Sequence, residues 1–412
     1  MRTFNRLLTW KRARAYAFVL GFIYVYAWGL VVSQGRPPLS SADEPIGGDY
    51  VAFYAAGKIL LAGDGANLYD RATVSAVQDV ALDGRIPKFY DAYRNPPFFA
   101  AVFAPLSVLD LVPSFAVWSL LSLAAFVVAI RLVCDLVPGM AGRWRGLSLI
   151  AFAFGPVYFG LIDGQNSTLS LLLFVLIYGA LTRGQDRLAG VLAALGLFKP
   201  QLFFVFPLLF LAARRWRALA SYIAVALVLA VVSFALVGFT GIQGWLRILL
   251  DMETDNALKN AWRMHSFKGF FDLLLPGQST LTLALYAVVS IGLVALLCRA
   301  WSSVREVTPT LWILTSAVIA LVDAHLVDYD LTVLVLAGVM AAIYLPYLRW
   351  LIVMMYPLLV FRSQVPLGPT SSVQLTTLVL LGFAFAAWKE LRSASAIAEH
   401  PRPDLALGRV TV

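Results

Sequence analysis

Asp49 is the first residue of this chain whose setting invites chemistry. It follows the pair Gly47-Gly48, just beyond the first long apolar run, and precedes a segment of helical periodicity. Glycine lets a backbone approach a ligand closely, and the N-terminal dipole of a following helix helps keep a carboxylate ionised. A carboxylate so placed suits a general base, taking the proton of an acceptor hydroxyl while that oxygen attacks an activated sugar. The spacing equally suits an N-cap for a helix beginning at Tyr50, and the two roles are compatible.

Lys199-Pro200 separates the apolar stretches Leu188–Phe198 and Gln201–Ala213, which read as half-helices of a hairpin or of one broken span. A buried ammonium is costly unless an anion or a water-filled cavity meets it. Broken helices that aim their ends at a ligand build midmembrane sites, so a phosphate is the obvious counter-charge and a snorkelling lysine the plain alternative. Arg94 and the segment Trp262-Arg263-Met264-His265-Ser266-Phe267-Lys268 place cations where a membrane protein's orientation disfavours them. Arg94, Arg263, His265 and Lys268 are therefore candidate phosphate contacts, while Trp262 also suits an interfacial belt.

Asp163-Gly164-Gln165-Asn166 is a tight polar turn that could bind a sugar or acceptor, or merely connect two spans. In His325-Leu326-Val327-Asp328-Tyr329-Asp330 a histidine and a pair of carboxylates fall close together. They could share a divalent ion, but with only 3 histidines in the chain and no second cluster, hydrogen bonds from His325, Asp328 and Asp330 to a sugar are the expectation. No metal or other cofactor is expected. Neither a Gly-rich phosphate loop, a zinc motif nor a nucleophile elbow occurs, which argues against a nucleotide as direct donor.

The elements that must position these groups are membrane helices. Hydrophobic residues make up 60% of the 412 and charged residues 13%, and the mean hydropathy is +0.81. A soluble domain carries about 25% charged residues. The net charge of +9 comes from short basic clusters between apolar runs, as in loops that anchor to a cytoplasmic leaflet, so nucleic acid is excluded as a partner. Cys134 and Cys298 flank apolar segments beside arginines, on the reducing side, and are not expected to form a disulfide.

The first apolar run, Tyr16–Ser33, follows basic residues without a cleavage site and reads as a retained signal anchor. Further candidate spans are Pro113–Asp135, Leu147–Ile162, Ser167–Leu181, Ala218–Phe239, Leu281–Arg299, Pro309–Val327, Leu331–Tyr344, Tyr347–Phe361 and Val373–Trp388. With the broken pair at Lys199 they make about twelve spans. Assigning every basic cluster to the cytoplasm puts both termini inside. The clusters are Arg2 to Arg14, Arg143/Arg145, Arg183/Arg187, Arg214/Arg215/Arg217, Arg299/Arg305, Arg349 and Lys389/Arg392/Arg402. Residues 34–112 and 240–278 then become the large outer loops of one membrane domain, 1–412. The first loop is not disordered: Val51–Ala62, Ala72–Leu82 and Pro96–Leu109 read as juxtamembrane helices lying at the interface.

Several motifs together carry a resemblance. They are Gly48-Asp49-Tyr50 with Phe53-Tyr54, Leu60-Leu61-Ala62-Gly63 to Leu68-Tyr69-Asp70, Tyr93-Arg94-Asn95-Pro96-Pro97-Phe98, Ala104-Pro105-Leu106, Gly164-Gln165-Asn166, Phe198-Lys199-Pro200-Gln201, Arg214-Arg215-Trp216-Arg217 and Asp328-Tyr329-Asp330-Leu331. In order and spacing the chain resembles the family 87 glycosyltransferases of the GT-C superfamily, whose members include mannosyltransferases that elongate phosphatidylinositol mannosides. The likeness implies an all-α, GT-C-type bundle in a plasma membrane, with its active site on the extracytoplasmic face. It also implies a polyprenyl-phosphate sugar donor and a lipid or glycan acceptor. Asp49 matches the family's catalytic base and Lys199 its Lys-Pro position, and Tyr54 joins the sugar or acceptor contacts. The segment around His265 departs from the Asn-Gln-Ser pattern of many relatives, and histidines before Asp328 are fewer; both bear on the sugar and acceptor. The rival from another class is a transporter or flippase of a lipid-linked or anionic solute, to which broken helices and an intramembrane lysine are equally suited.

Overall fold

The computed structural model describes residues 8–255, 260–361 and 364–399, with side chains left out at 251–255 and 394–399. Arg2, Arg6 and Arg402 of the expected cytoplasmic clusters lie outside the described residues, as do 256–259 of the second outer loop. The described residues are mostly helical. In order the helices are α1 (Trp10–Ser33), α2 (Tyr50–Leu61), α3 (Arg71–Ala81), α4 (Pro97–Phe103), α5 (Leu111–Leu136), α6 (Trp144–Phe152), α7 (Gly155–Ile162), α8 (Ser167–Thr182), α9 (Asp186–Leu195), α10 (Pro200–Phe203) and α11 (Val205–Ala212). They continue as α12 (Trp216–Asp255), α13 (Phe267–Leu274), α14 (Ser279–Ser303), α15 (Pro309–Val322), α16 (Leu334–Tyr344), α17 (Arg349–Val360) and α18 (Leu375–Glu399). A hairpin of β1 (Gln364–Pro366) and β2 (Ser372–Gln374), paired antiparallel, precedes α18.

Among the described residues four helices are long and apolar enough to cross a membrane: α1, α5, α12 through Leu250, and α14. Counting α6 with α7, bent by 76°, and the Asp328–Tyr344 segment with Pro346–Val360, bent by 118°, raises the number to six. The expectation of about twelve spans is thus not confirmed. Its physical reason is length: the 16 residues of α8 rise ~24 Å, short of the ~30 Å hydrocarbon core. Apolar helices such as α8 and α15 are buried by other helices rather than by lipid, with α15 enclosed along almost its whole length.

In the first loop the expected helices form, and α2 is enclosed by protein: Tyr50 to Gly57 and Ile59 are all buried. It sinks into a second apolar core with α4 and the start of α5. Phe53 stacks on Phe103 at 4.8 Å, and Phe103 meets Trp118 at 4.7 Å. Each fully buried large apolar side chain contributes ~1.5–3 kcal/mol, so this aromatic cluster outweighs whatever an exposed position would gain. The polar edges are satisfied within it: Tyr50 Oη shares a hydrogen bond with Ser114 Oγ at 2.6 Å, and Tyr54 Oη donates to the Leu109 carbonyl at 3.0 Å. α3, by contrast, is capped at the surface by Asp70, which accepts from the Thr73 amide at 2.8 Å.

The expected second outer loop, 240–278, is largely helix. α12 continues past Phe239 to Asp255, with a kink at Gly238. After it, Met264 pairs with Val327 as an isolated bridge, and the His265 amide donates to the Leu326 carbonyl at 3.0 Å. This contact draws the 260s and the 320s together over one end of the bundle. Cys134 and Cys298 are free thiols.

Candidate active site

Two interlocked turns place Asp49. Gly47 and Gly48 both have positive φ, 97° and 51°. A Cβ on Gly47 would stand 2.7 Å from the Phe115 ring, and one on Gly48 3.0 Å from Asp163 Oδ1. Facing them, Gly164 has φ 62°, and a Cβ there would lie 2.5 Å from Tyr50 Cβ. Only glycine fits such approaches. The Trp118 indole N–H donates to the Gly164 carbonyl at 2.7 Å and fixes that turn.

The outcome is a direct bond across the turns: Gln165 Nε2 donates to Asp49 Oδ2 at 2.6 Å. Asp49 does not cap α2, because its own backbone is already helical and its side chain makes no capping bond. The carboxylate turns into a pocket instead.

That pocket has a volume of about 110 Å3. Asp49, Arg94, Gln165, Lys199, His325 and Asp330, which the sequence singled out, line it together. Asp91, Tyr93, Asn95, Gln201 and Tyr329 complete its polar wall. The strap carrying Asp91 to Asn95 is tied down on both sides. Gln78 exchanges hydrogen bonds with the Asp91 backbone at 2.7 and 2.9 Å, Tyr69 Oη donates to the Asn95 carbonyl at 2.7 Å, and Asn95 Nδ2 donates to the Phe198 carbonyl at 2.8 Å. The last of these fastens the first loop to the break before Lys199.

The break itself is as the Lys-Pro pair implies. Gly196–Phe198 form a 3-10 turn, Lys199 leaves the helical region at φ −122° and ψ 75°, and Pro200 opens α10. The Lys199 side chain, 6% exposed, meets no open cavity alone: it is ion-paired with Asp330, 2% exposed, and sits 4.9 Å from the Tyr329 ring centre. Asp330 is thus the partner of the lysine, where a sugar contact was expected. Asp328 is likewise engaged, accepting from Arg263 Nη2 at 3.2 Å, and Arg263 also faces the Tyr329 ring at 5.8 Å.

The remaining candidates stand outside the pocket. Lys268 is buried in an ion pair with Asp272 at 2.6 Å, one helical turn away, so its charge is already met. His265 is buried beside β2 and α18, its Nδ1 2.6 Å from Thr376 Oγ1 and 3.0 Å from Gln374 Nε2. Burial first, then Arg263, pulls its pKa down to about 4, against the pull of Asp328, and a neutral ring offers a phosphate no charge. Tyr54 donates inward to Leu109. Asn166 is fully buried with neither amide atom hydrogen-bonded among the described residues, and Asp163 lies behind Asp49 against Gly48.

Electrostatics separate the acids. Enclosure, then the charge of Asp49, pushes Asp91 up to about 8, with Arg94 opposing. The same causes, in the same order, push Asp163 up to about 8, with Arg263 opposing. His325, whose amide donates to Asp323 Oδ1 at 2.7 Å, is driven down to about 3 by enclosure and then by Arg94, Lys199 and Arg263. Near neutral pH Asp91 and His325 are therefore neutral in the lining. Asp91 and Asp323 were not singled out from sequence. Asp91 carries a faint signal, a carboxylate set between Tyr90 and Tyr93; Gln201 and Tyr329 stood inside the Lys-Pro and Asp-Tyr-Asp motifs.

A family model described as glycosyltransferase family 87 matches residues 93–328, a stretch that holds Tyr93 to Asn95 of the strap, the Gly164 turn and the Lys199 break and ends at Asp328, with Asp49, Asp91, Tyr329 and Asp330 outside it. No curated protein and no solved structure matches the chain.

Proposed function

The chain belongs to glycosyltransferase family 87, and from that premise we propose that this membrane protein transfers a sugar from a polyprenyl-phosphate donor to a lipid or glycan hydroxyl on the outer face of the membrane, with inversion. A mannosyl or arabinofuranosyl donor suits the charges. Asp49 takes the proton of the acceptor hydroxyl as that oxygen bonds to the anomeric carbon. The bond from that carbon to the phosphate oxygen breaks, and polyprenyl phosphate departs with the electron pair. Such a leaving group is already anionic and needs electrostatic stabilisation more than a proton, a role for Lys199 and Arg94 with Arg263 behind Tyr329. One carboxylate then suffices, unlike the acid and base pair of most glycoside hydrolases.

The observation that carries this reading is that Asp49 and the cations Lys199 and Arg94 line one pocket, although they come from distant parts of the chain. The volume of about 110 Å3 is below the ~300–1,000 Å3 of ordinary ligand cavities, so it receives the phosphate and the reacting edge of the sugar. The isoprenoid chain stays in the membrane, in a bundle of GT-C type with cytoplasmic termini. Family membership leaves the transporter reading without support.

The test is incubation of the detergent-purified protein with a synthetic polyprenyl-phosphate mannose or arabinofuranose and a glycolipid acceptor. Release of free polyprenyl phosphate with sugar appearing on the acceptor is expected. Binding of these donors without turnover, or turnover of a nucleotide sugar in their place, contradicts the proposal.

A further inference from the structure

At the end of the bundle away from Asp49 there is a much larger cavity, of about 790 Å3. It lies among α1, α6, α15, α16, α17 and α18, with Leu20, Ile150, Gly338, Val353 and Phe383 in its wall. The two cavities share no lining residue, and ~7.5 Å of helix rise separates Ala317, the wall residue of α15 nearest the site, from the Val322 end beside the Asp323 and His325 turn. The space is therefore distinct from the pocket already described. Its size falls in the ~300–1,000 Å3 range that holds ligands.

The wall is apolar, but its rim is basic. Arg143, just before α6, and Arg349, at the start of α17, both line the cavity and are exposed. Arg143 faces the Trp10 ring at 5.5 Å, and Arg349 Nε donates to the Ala342 carbonyl at 2.7 Å. Among the described residues neither arginine is ion-paired with a carboxylate. One wall is α1, whose other face presents exposed Phe18 and Phe22. An apolar chamber of this kind, ending in unneutralised arginines, matches a molecule with an acyl chain and an anionic headgroup. Basic pockets between membrane helices hold such headgroups.

We propose that this cavity binds one anionic phospholipid, with an acyl chain among α1, α16 and α17 and the headgroup phosphate on Arg143 and Arg349. The site is separate from donor and acceptor. Its occupant braces α1, whose outer face is otherwise exposed, against the bundle.

Gly338 offers a clean way to close the space, since a Cβ built there meets nothing within 4 Å. The experiment is native mass spectrometry of the full-length protein released from detergent, titrated with phosphatidylglycerol or with phosphatidylcholine of the same acyl chains. Wild type is expected to retain one phosphatidylglycerol. The variant Arg143→Gln/Arg349→Gln should bind it roughly 30-fold more weakly, the effect of two basic side chains at a membrane surface, with phosphatidylcholine binding unaltered. Gly338→Phe should lose both lipids. Undiminished phosphatidylglycerol binding in the double arginine variant would overturn the proposal even if the phenylalanine variant failed to fold. Displacement of the lipid by polyprenyl phosphate would overturn it too, because the cavity would then belong to the donor's tail.

Discussion

The Asp49 edge and the Lys199 edge of the pocket are built on opposite principles. Asp49 is half-buried on a glycine turn and has a neutral side-chain partner, the Gln165 amide. Lys199 is buried at a helix break and already neutralised by Asp330, with Tyr329 against it. In the proposed reaction the base has to exchange a proton, and Asp49 is held by a neutral donor rather than by a cation. A cation that meets an anionic leaving group has instead to be kept in place while the pocket is empty, and a buried charge survives there only when paired. On the proposed mechanism one edge serves reactivity and the other preorganisation.

The largest effect should come from breaking the buried pair. Lys199→Met leaves Asp330 without its counter-charge and should cost ~3–5 kcal/mol of stability, read from denaturation in detergent. Lys199→Met/Asp330→Leu should regain most of that stability yet transfer no sugar. If the double variant turned over normally, the pair would be structural alone and the comparison would collapse.

A smaller effect is expected at the other edge. Gln165→Leu removes a hydrogen bond to a charged group, an interaction of ~1.5–3 kcal/mol, and should slow transfer about 10- to 100-fold with donor affinity little changed. Equal losses in affinity and rate would show that Gln165 holds the donor rather than Asp49.

Smaller still is the pH dependence of stability. Asp91 and Asp163, both raised to about 8, bind their protons more tightly folded than unfolded, where a carboxyl titrates near about 4. Their contribution is complete below about pH 4 and is lost as pH rises through about 8. The Tm of Asp91→Asn or Asp163→Asn should therefore fall less than that of wild type between about pH 5 and about pH 8. An unchanged slope would remove both carboxyls from the electrostatic picture. His265→Gln, outside the pocket, should lower Tm through its Thr376 and Gln374 contacts while leaving donor affinity as it was.

What could be read from sequence was whatever local spacing encodes. Gly47-Gly48 before Asp49, the Lys199-Pro200 break, the Gly164 turn and the helices of the first loop all stand in the structure near their expected places. What could not be read was which charges meet. Lys199 and Asp330 are 131 residues apart, and each was assigned to a ligand because its protein partner was invisible. Lys268 was assigned to a phosphate, and in the structure it pairs with Asp272, one turn along the same helix. Asp91 acts through a fold-dependent enclosure that no motif announces. The span count is not confirmed because apolar length cannot tell a helix buried by protein from one bathed in lipid, and α8 and α15, both counted as spans, are largely buried by protein.

The most direct test of the account is the turnover of Asp49→Asn, measured beside its affinity for the same polyprenyl-phosphate sugar. Donor binding close to wild type with transfer reduced ~10²- to 10⁴-fold is the predicted result. Transfer at a near-normal rate would contradict the assignment of Asp49 as the base.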